Sequence, residues 1–176
     1  PYLAYRESTI GGIPTRLMRV GFVGELGYEL HVPSPLVGEL WDRLMTAGHA
    51  HSIRPFGVEA QRLLRLEKGH IIVGQDTDGS MTPQDLNMGW VVGKNKDFSF
   101  IGHRGLNRED CQREDRKQLV GLKTLDPKTV LPEGAQIVVD PSQPLPMAMQ
   151  GHVTSSYQPY YHIIRYTKSR GAFRSI

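Results

Sequence analysis

The sequence predicts an α+β fold, because helical and strand-like hydrophobic patterns occupy different parts of the chain. Two segments, over residues 34–48 and 56–69, repeat apolar side chains at helical spacing and end at a glycine. After residue 118 the pattern changes to short β-prone runs, which are separated by turns rich in proline and glycine. Runs of this length and spacing favour a small antiparallel β-barrel after the helical part.

Composition and charge narrow the class of protein. The chain has 176 residues, of which 39% are hydrophobic and 22% charged, enough for one ordinary core or two small ones. No run approaches ~18 uninterrupted apolar residues, so we expect no membrane span. The net charge is only +3 and the densest charged run, 104–117, mixes both signs, so we expect no nucleic-acid partner. The chain lacks a secretory pattern and has a single cysteine, Cys111, so we expect a cytoplasmic protein.

The first strand-like stretch, residues 13–32, predicts two strands joined through Gly24–Gly27. Three glycines at a spacing of three, at positions 21, 24 and 27, interrupt it, and glycine permits positive φ and close backbone approach. Glu29 follows among apolar neighbours, so we expect it on the inward face of the second strand. A carboxylate in an apolar slot requires a donor, which either the protein or a ligand supplies.

Helix-capping residues define the two predicted helices. Ser34 suits an N-cap and Pro35 the first helical position, and Gly48 ends this first helix. Pro55 precedes the second helix, which Gly69 ends. The apolar face of the first helix consists of Val37, Leu40, Trp41, Leu44 and Met45.

The remaining elements are predicted from shorter patterns. Residues 71–73 and 90–92 favour short strands, and Thr82-Pro83 favours the start of a helix. Three further strands are predicted at 119–125, 136–140 and 151–157. The charged run between the two patterns places a domain boundary within residues 105–118.

Several motifs are incomplete. Asp76-Thr77-Asp78-Gly79 starts like a calcium loop, but Met81 and Asn87 occupy its glycine and glutamate positions. The glycine spacing does not match a dinucleotide-binding loop, and there is no P-loop lysine. His49 and His51 are too few ligands for zinc, so we predict no metal site. For Arg65 and Glu67 we favour a structural ion pair over a ligand contact.

Six sequence blocks, taken together, resemble a known family. In order they are Arg-Val-Gly-Phe-Val-Gly-Glu-Leu-Gly-Tyr-Glu (19–29), Leu-Arg-Leu-Glu-Lys-Gly (64–69), Val-Gly-Gln-Asp (73–76), Thr-Pro-Gln-Asp-Leu-Asn-Met-Gly-Trp-Val-Val (82–92), Phe-Ile-Gly-His-Arg-Gly-Leu (100–106) and Gly-His-Val-Thr-Ser-Ser-Tyr (151–157). This ordered set, covering about residues 10–157, resembles the folate-dependent aminomethyltransferase family, the T-proteins of glycine cleavage and their relatives. The run from Glu67 to Gly79 is most similar to the carboxyl-terminal part of heterotetrameric sarcosine oxidase alpha subunits.

The resemblance implies a tetrahydrofolate site. It implies that Glu29 holds the pterin ring through its amidine-like edge and that Phe22, where the family usually has tyrosine, packs on the ring. Gln61 replaces an arginine of the T-proteins, so contact with the glutamyl tail is weaker or made elsewhere. The family's catalytic aspartate lies in a region that precedes this sequence, so the catalytic residue is unknown here. The implied domains are the second half of the folate-binding domain, residues 1–105, and a barrel at 118–176, either complete or lacking its closing strand.

The resemblance also implies a function. Sarcosine is oxidised at a flavin in another subunit, and its one-carbon unit passes to tetrahydrofolate, giving 5,10-methylenetetrahydrofolate. Flavin and NAD would be bound outside this chain, and its partners would be folate and the other sarcosine oxidase subunits. One alternative is a stand-alone glycine cleavage aminomethyltransferase, against which Gln61 argues. Another is a structural or interaction module without turnover.

Overall fold

The fold is given by a computed structural model. It describes residues 1–93, 95–126 and 128–157, and the backbone of 161–167. The chain divides into two compact units, Pro1–His70 and Ile71–Ile176, and each contains one antiparallel sheet. Within the described residues, no helix is both long enough and apolar enough to cross a membrane.

The sheet of the first unit has three strands, β1 (Tyr5–Ile10), β2 (Ile13–Met18) and β3 (Glu29–His31), in the order β1-β2-β3. The antiparallel pairing of β2 with β3 confirms the two strands predicted within residues 13–32. Strand β1 was not predicted. It pairs with β2 along its whole length through a tight turn at Gly11 and Gly12.

Glu29 lies on the outward face of this sheet, and the prediction that it faces inward was wrong. On β2, Ile13 and Thr15 are buried whereas Arg16 is exposed, so alternate residues face opposite sides. Glu29 pairs with Met18, which lies two residues from Arg16 and therefore on the same side. The Glu29 side chain is 60% exposed. We call the side that carries Tyr5, Glu7, Arg16, Met18, Glu29 and His31 the outer face.

Both predicted helices of the first unit are confirmed. A short 3-10 turn at Ser34–Leu36, with proline in its first turn, leads into α1 (Val37–Gly48). Helix α2 (Val58–Lys68) ends at Gly69, which has φ of +80° and donates its N–H to the Leu66 carbonyl. Buried Leu40 of α1 and Leu66 of α2 belong to the core of this unit, together with Ile13.

The second unit contains a four-stranded antiparallel sheet rather than a demonstrated closed barrel. Its order is β4-β7-β6-β5, and no pairing between β4 and β5 closes it among the strands that the structure describes. The strands are β4 (Lys117–Lys123), β5 (Gln136–Val138), β6 (Met149–Tyr157) and β7 (Tyr161–Thr167). Strand β7 lies in the segment after residue 157, where the sequence did not decide whether the predicted barrel has its closing strand. The core of the sheet forms around Val153, which is 2% exposed.

The segment that precedes β4 is mostly turns. The predicted strand at 71–73 was wrong, and the chain turns there because buried Asp76 accepts a hydrogen bond from the Ile72 N–H at 2.9 Å. The run at 90–92 forms a 3-10 helix, Gly89–Val91, instead of a strand. Helices α3 (His103–Leu106) and α4 (Glu109–Gln112) lie in the charged run. The domain boundary at 105–118 stays a prediction.

A buried ion pair fixes the start of β4. Asp85 is 2% exposed and accepts hydrogen bonds from the Thr82 N–H at 2.8 Å and from Arg116 Nη2 at 2.6 Å. Desolvation raises the pKa of Asp85, but the hydrogen bonds from Arg116 and Thr82 outweigh it, so the pKa lies below its ordinary value. Arg116 also bonds Asp110, whose side chain is 66% exposed. Asp85 therefore stays ionised and ties the preceding turn to β4.

We expect Asp85→Asn to lower the free energy of unfolding at pH 7 by about 3–5 kcal/mol, because it leaves Arg116 without its buried partner. The ionised Asp85 contributes fully to the free energy of unfolding at pH values above the pKa of an unfolded aspartate, ~3.9. Because its pKa is lower in the folded chain, this contribution is lost as the pH falls from there through the folded pKa. The variant should therefore lose less stability than the wild type between pH 7 and pH 3. Urea denaturation at both values measures this.

Asp110→Asn is the matched control, since it removes an exposed partner of the same arginine and should cost at most about 1 kcal/mol. Equal losses in the two variants would contradict the assignment of the stabilising interaction to Asp85.

Candidate functional site

The candidate site is built on a loop that returns to its starting point. We call residues 19–28, which join β2 to β3, the glycine loop. A Cβ added to Gly27 would lie 2.6 Å from the Val20 carbonyl oxygen, and one added to Gly21 would lie 3.0 Å from the Glu25 carbonyl oxygen. Real Cβ atoms essentially never approach as closely as 2.6 Å, and 3.0 Å is tighter than most real contacts. The glycines therefore let the two ends of the loop meet, backbone against backbone.

Arg19 clamps the two ends of the glycine loop. Its Nη1 donates to the Gly27 carbonyl at 3.1 Å, and its guanidinium lies over the rings of Tyr28 and Tyr2 at 5.5 and 5.9 Å. Its backbone N–H donates to the Ala4 carbonyl at 2.9 Å. The loop is thus fixed just before Glu29, at the point where β3 begins.

The middle of the glycine loop is tied to the end of α2. His70 Nδ1 lies 2.6 Å from the Phe22 carbonyl oxygen, and since a carbonyl only accepts, Nδ1 carries the proton. The His70 and Phe22 rings are 5.9 Å apart and tilted by 34°. Gly24 has φ of +94°, and a Cβ there would contact the Lys68 side chain at 3.0 Å. These contacts hold Phe22 against the C-terminal end of α2.

Arg65 supports this end of α2 from inside. It is fully buried, and its Nη1 donates to the His70 carbonyl at 3.0 Å. The hydrogen bond fixes the backbone of the residue that holds Phe22. This contact is to a backbone carbonyl and not to a carboxylate, so the ion pair favoured from the sequence stays a prediction.

Within the described residues, Glu29 has one hydrogen-bond partner, which contacts one of its two oxygens. Its Oε2 lies 3.1 Å from His31 Nε2, which donates to it. Within the part of the chain that the structure describes, Oε1 has no hydrogen bond. Arg16, which pairs with His31 across the strands, is bonded instead to Glu7 at 2.6 Å. Among the described residues, no lysine or arginine therefore binds this carboxylate on the outer face.

The three predicted site residues occupy different elements. Glu29 is on β3, Phe22 is half-buried in the glycine loop and Gln61 is half-buried on α2. Among the described residues, no hydrogen bond, ion pair or ring contact joins these three to one another. The structure brings Phe22 to the end of the helix that carries Gln61 and leaves Glu29 on the outer face. Their binding roles stay predictions.

Three residues of the site were missed from the sequence. His31 had a usable signal, because a Glu-x-His spacing on a strand places both side chains on one face. Arg19 and His70 had no local signal. The partner of His70 lies 48 residues away, and the Arg19 contacts depend on how the loop closes.

Two open clefts flank His31. One, of about 390 Å³, lies between β3 and α1 and is lined mainly by apolar residues such as Leu30, Leu40 and Trp41. The other, of about 460 Å³, includes Arg16 and Glu7. Glu29 is not among the residues that line either of these clefts. Among the described residues, no group of three or more metal-ligating side chains could hold a metal ion.

The family of this chain follows from comparison with known proteins. Residues 1–96 match the family model described as the GCVT N-terminal domain, and the chain belongs to this family. The matched range contains the whole glycine loop, β3 and α2.

Individual relatives agree with this assignment. The chain is 45% identical over 159 residues to the sarcosine oxidase subunit alpha of Corynebacterium sp. (strain P-1), covering 89% of this chain and 16% of that protein. It is 39% identical over 119 residues to the aminomethyltransferase of Halothermothrix orenii, and the match covers 68% of this chain and 33% of that protein. The structure of the glycine cleavage system aminomethyltransferase T from Bartonella henselae matches with a TM-score of 0.72 and 25% identity, covering 87% of this chain and 42% of that one. The chain thus spans less than half the length of each of these proteins.

We expect Gly27→Ala to destabilise the chain by about 1–3 kcal/mol, because its Cβ would collide with the Val20 carbonyl and force the glycine loop open. Urea denaturation measures the loss. Gly38→Ala is the matched control, since Gly38 lies in α1 and an added Cβ there contacts nothing within 4 Å. That change should stabilise by about 0.5–1 kcal/mol. Unchanged stability in Gly27→Ala would show that the loop does not need this close approach.

Proposed function

We propose that this chain is the tetrahydrofolate-binding portion of a sarcosine oxidase alpha subunit. In this proposal the whole assembly is an oxidoreductase that oxidises sarcosine at a flavin held by another subunit. The released one-carbon unit then reaches tetrahydrofolate bound here. When formaldehyde is the carbon donor, N5 and N10 each form a bond to the carbon, and water leaves as 5,10-methylenetetrahydrofolate forms. The contribution of this chain is to position the pterin.

The state of Glu29 is the observation that supports the proposal most directly. A pterin presents N3–H and its 2-amino group as two parallel donors, which match the two oxygens of a carboxylate. Glu29 is exposed, and among the described residues only His31 bonds its side chain, through Nε2. The other oxygen, Oε1, is therefore open to a ligand within the described structure. Each carboxylate oxygen accepts two hydrogen bonds, so the His31 contact at Oε2 leaves room for a ligand donor.

Phe22 and Gln61 have supporting roles in the proposal. Phe22 offers a ring without a hydroxyl, so it can pack on the pterin but cannot donate to it. Gln61 is neutral and cannot form an ion pair with a glutamyl carboxylate. We therefore propose that affinity comes mainly from the pterin and that the glutamyl tail contributes less.

Two similarities favour sarcosine oxidase over a stand-alone aminomethyltransferase. Identity to the sarcosine oxidase subunit is higher, 45% against 39%, and it extends over 89% of the chain against 68%. Gln61 agrees with this preference. We also propose that residues 1–105 form part of the folate domain and that residues 118–176 form a C-terminal domain. The other sarcosine oxidase subunits are the proposed partners, and the proposed location is the cytoplasm.

Calorimetric titration with tetrahydrofolate under anaerobic conditions tests the proposal. We expect Glu29→Ala to raise the Kd about 100-fold, because it removes two charge-assisted hydrogen bonds, each contributing at least about 1.5 kcal/mol. Glu25→Ala is the matched control. It removes an exposed carboxylate of the same glycine loop and should leave the Kd within about twofold of the wild type.

Two results would overturn the proposal. A wild-type chain that gives no heat with tetrahydrofolate would indicate a module without folate binding. Equal Kd values for Glu29→Ala and Glu25→Ala would show that the pterin is held by other residues.

A further inference from the structure

We infer that His31 is a positioning residue, which holds the Glu29 carboxylate in the orientation that accepts the ligand's paired N–H donors. This inference rests on the proposed function, because it concerns the same carboxylate. It assigns a role to a side chain that the family resemblance does not single out. The ligand class is a planar amidine-like ring edge, as in a pterin.

Strand geometry brings the two side chains together. Glu29 and His31 are two residues apart on β3, so both project from the outer face. His31 Nε2 donates to Glu29 Oε2 at 3.1 Å. A glutamate has several rotatable bonds, and a single hydrogen bond to one oxygen restricts them before any ligand arrives. The carboxylate is then presented with a defined direction.

An imidazole is better suited to this task than a guanidinium. Arginine offers two parallel donors that would occupy both oxygens of Glu29 and compete with the ligand. Histidine offers only Nε2 on this side and leaves Oε1 open within the described structure. Arg16, the cross-strand partner of His31, is turned to Glu7 at 2.6 Å and lies over the Tyr5 ring at 5.7 Å. The guanidinium of Arg16 is therefore bonded to Glu7 and not to Glu29.

The stability of the fold does not require this pair. The side chains of Glu29 and His31 are 60% and 53% exposed, and exposed ion pairs contribute little to folding. Replacing His31 should therefore leave the thermal midpoint unchanged. An effect on ligand affinity can then be assigned to the orientation of Glu29 and not to the loss of the fold.

The test compares two replacements of His31 by calorimetric titration with tetrahydrofolate. His31→Phe keeps a ring but loses the donor, and we expect the Kd to rise about three- to tenfold, the cost of immobilising one flexible side chain on binding. His31→Gln retains an amide donor near the position of Nε2 and should restore the Kd to within about twofold of the wild type. His51→Phe, a change of another exposed histidine, is the control and should have no effect.

A double-mutant cycle with Glu29→Gln separates this inference from the proposed function. If His31 acts through Glu29, His31→Phe should not weaken binding further once Glu29→Gln is present. Equal Kd values for wild type and His31→Phe, or tighter binding by His31→Phe, overturn the positioning role. Equal losses for His31→Phe and His31→Gln do the same. If instead Glu29→Gln binds as well as the wild type, or the wild type does not bind, the proposed function itself fails.

Discussion

The candidate site exists because the Val20 carbonyl and Gly27 approach so closely that no side chain fits between them. This contact makes the glycine loop return to its start, and β3 therefore begins beside the end of β2. The Arg19 guanidinium then bonds the Gly27 carbonyl and lies over Tyr28, which fixes the residue before Glu29. The pairing of Met18 with Glu29 is the first strand contact after this close approach. A backbone constraint thus determines where the carboxylate lies.

The two helices of the first unit could be predicted because their signals are local. Pro35 and Gly69 act within one turn of the helices that they start and end, and the apolar spacing is read from adjacent residues. The face of β3 on which Glu29 lies could not be predicted in this way. It depends on the register with β2, and a shift of one residue would exchange the two faces. Neighbouring apolar residues suggested burial, whereas the register gives exposure.

In the second unit, prediction failed where buried polar side chains replace backbone pairing. Residues 71–73 are apolar enough for a strand, but Asp76 accepts hydrogen bonds from Ile72 N–H and from Ser155 Oγ, which is 79 residues away. Asp85 organises the next turn through Arg116, 31 residues away. These partners cannot be identified from spacing. By contrast, β4, β5 and β6 were predicted because short β-prone runs between proline- and glycine-rich turns are a local signal. Whether the sheet closes into a barrel depends on strand order, which such runs do not give.

The exposure of Glu29 changes the physical basis of the proposed binding. A buried carboxylate needs an internal donor, which a ligand would have to displace at a cost. An exposed carboxylate keeps its charge in water, and a planar ligand that covers it lowers the local dielectric and strengthens the hydrogen bonds that it makes. The single donor of His31 limits the flexibility of Glu29 without occupying both oxygens. On the outer face, Glu29 can therefore be a hydrogen-bond acceptor that needs no internal partner. The hydrogen bond from His31 sets its orientation before the ligand binds.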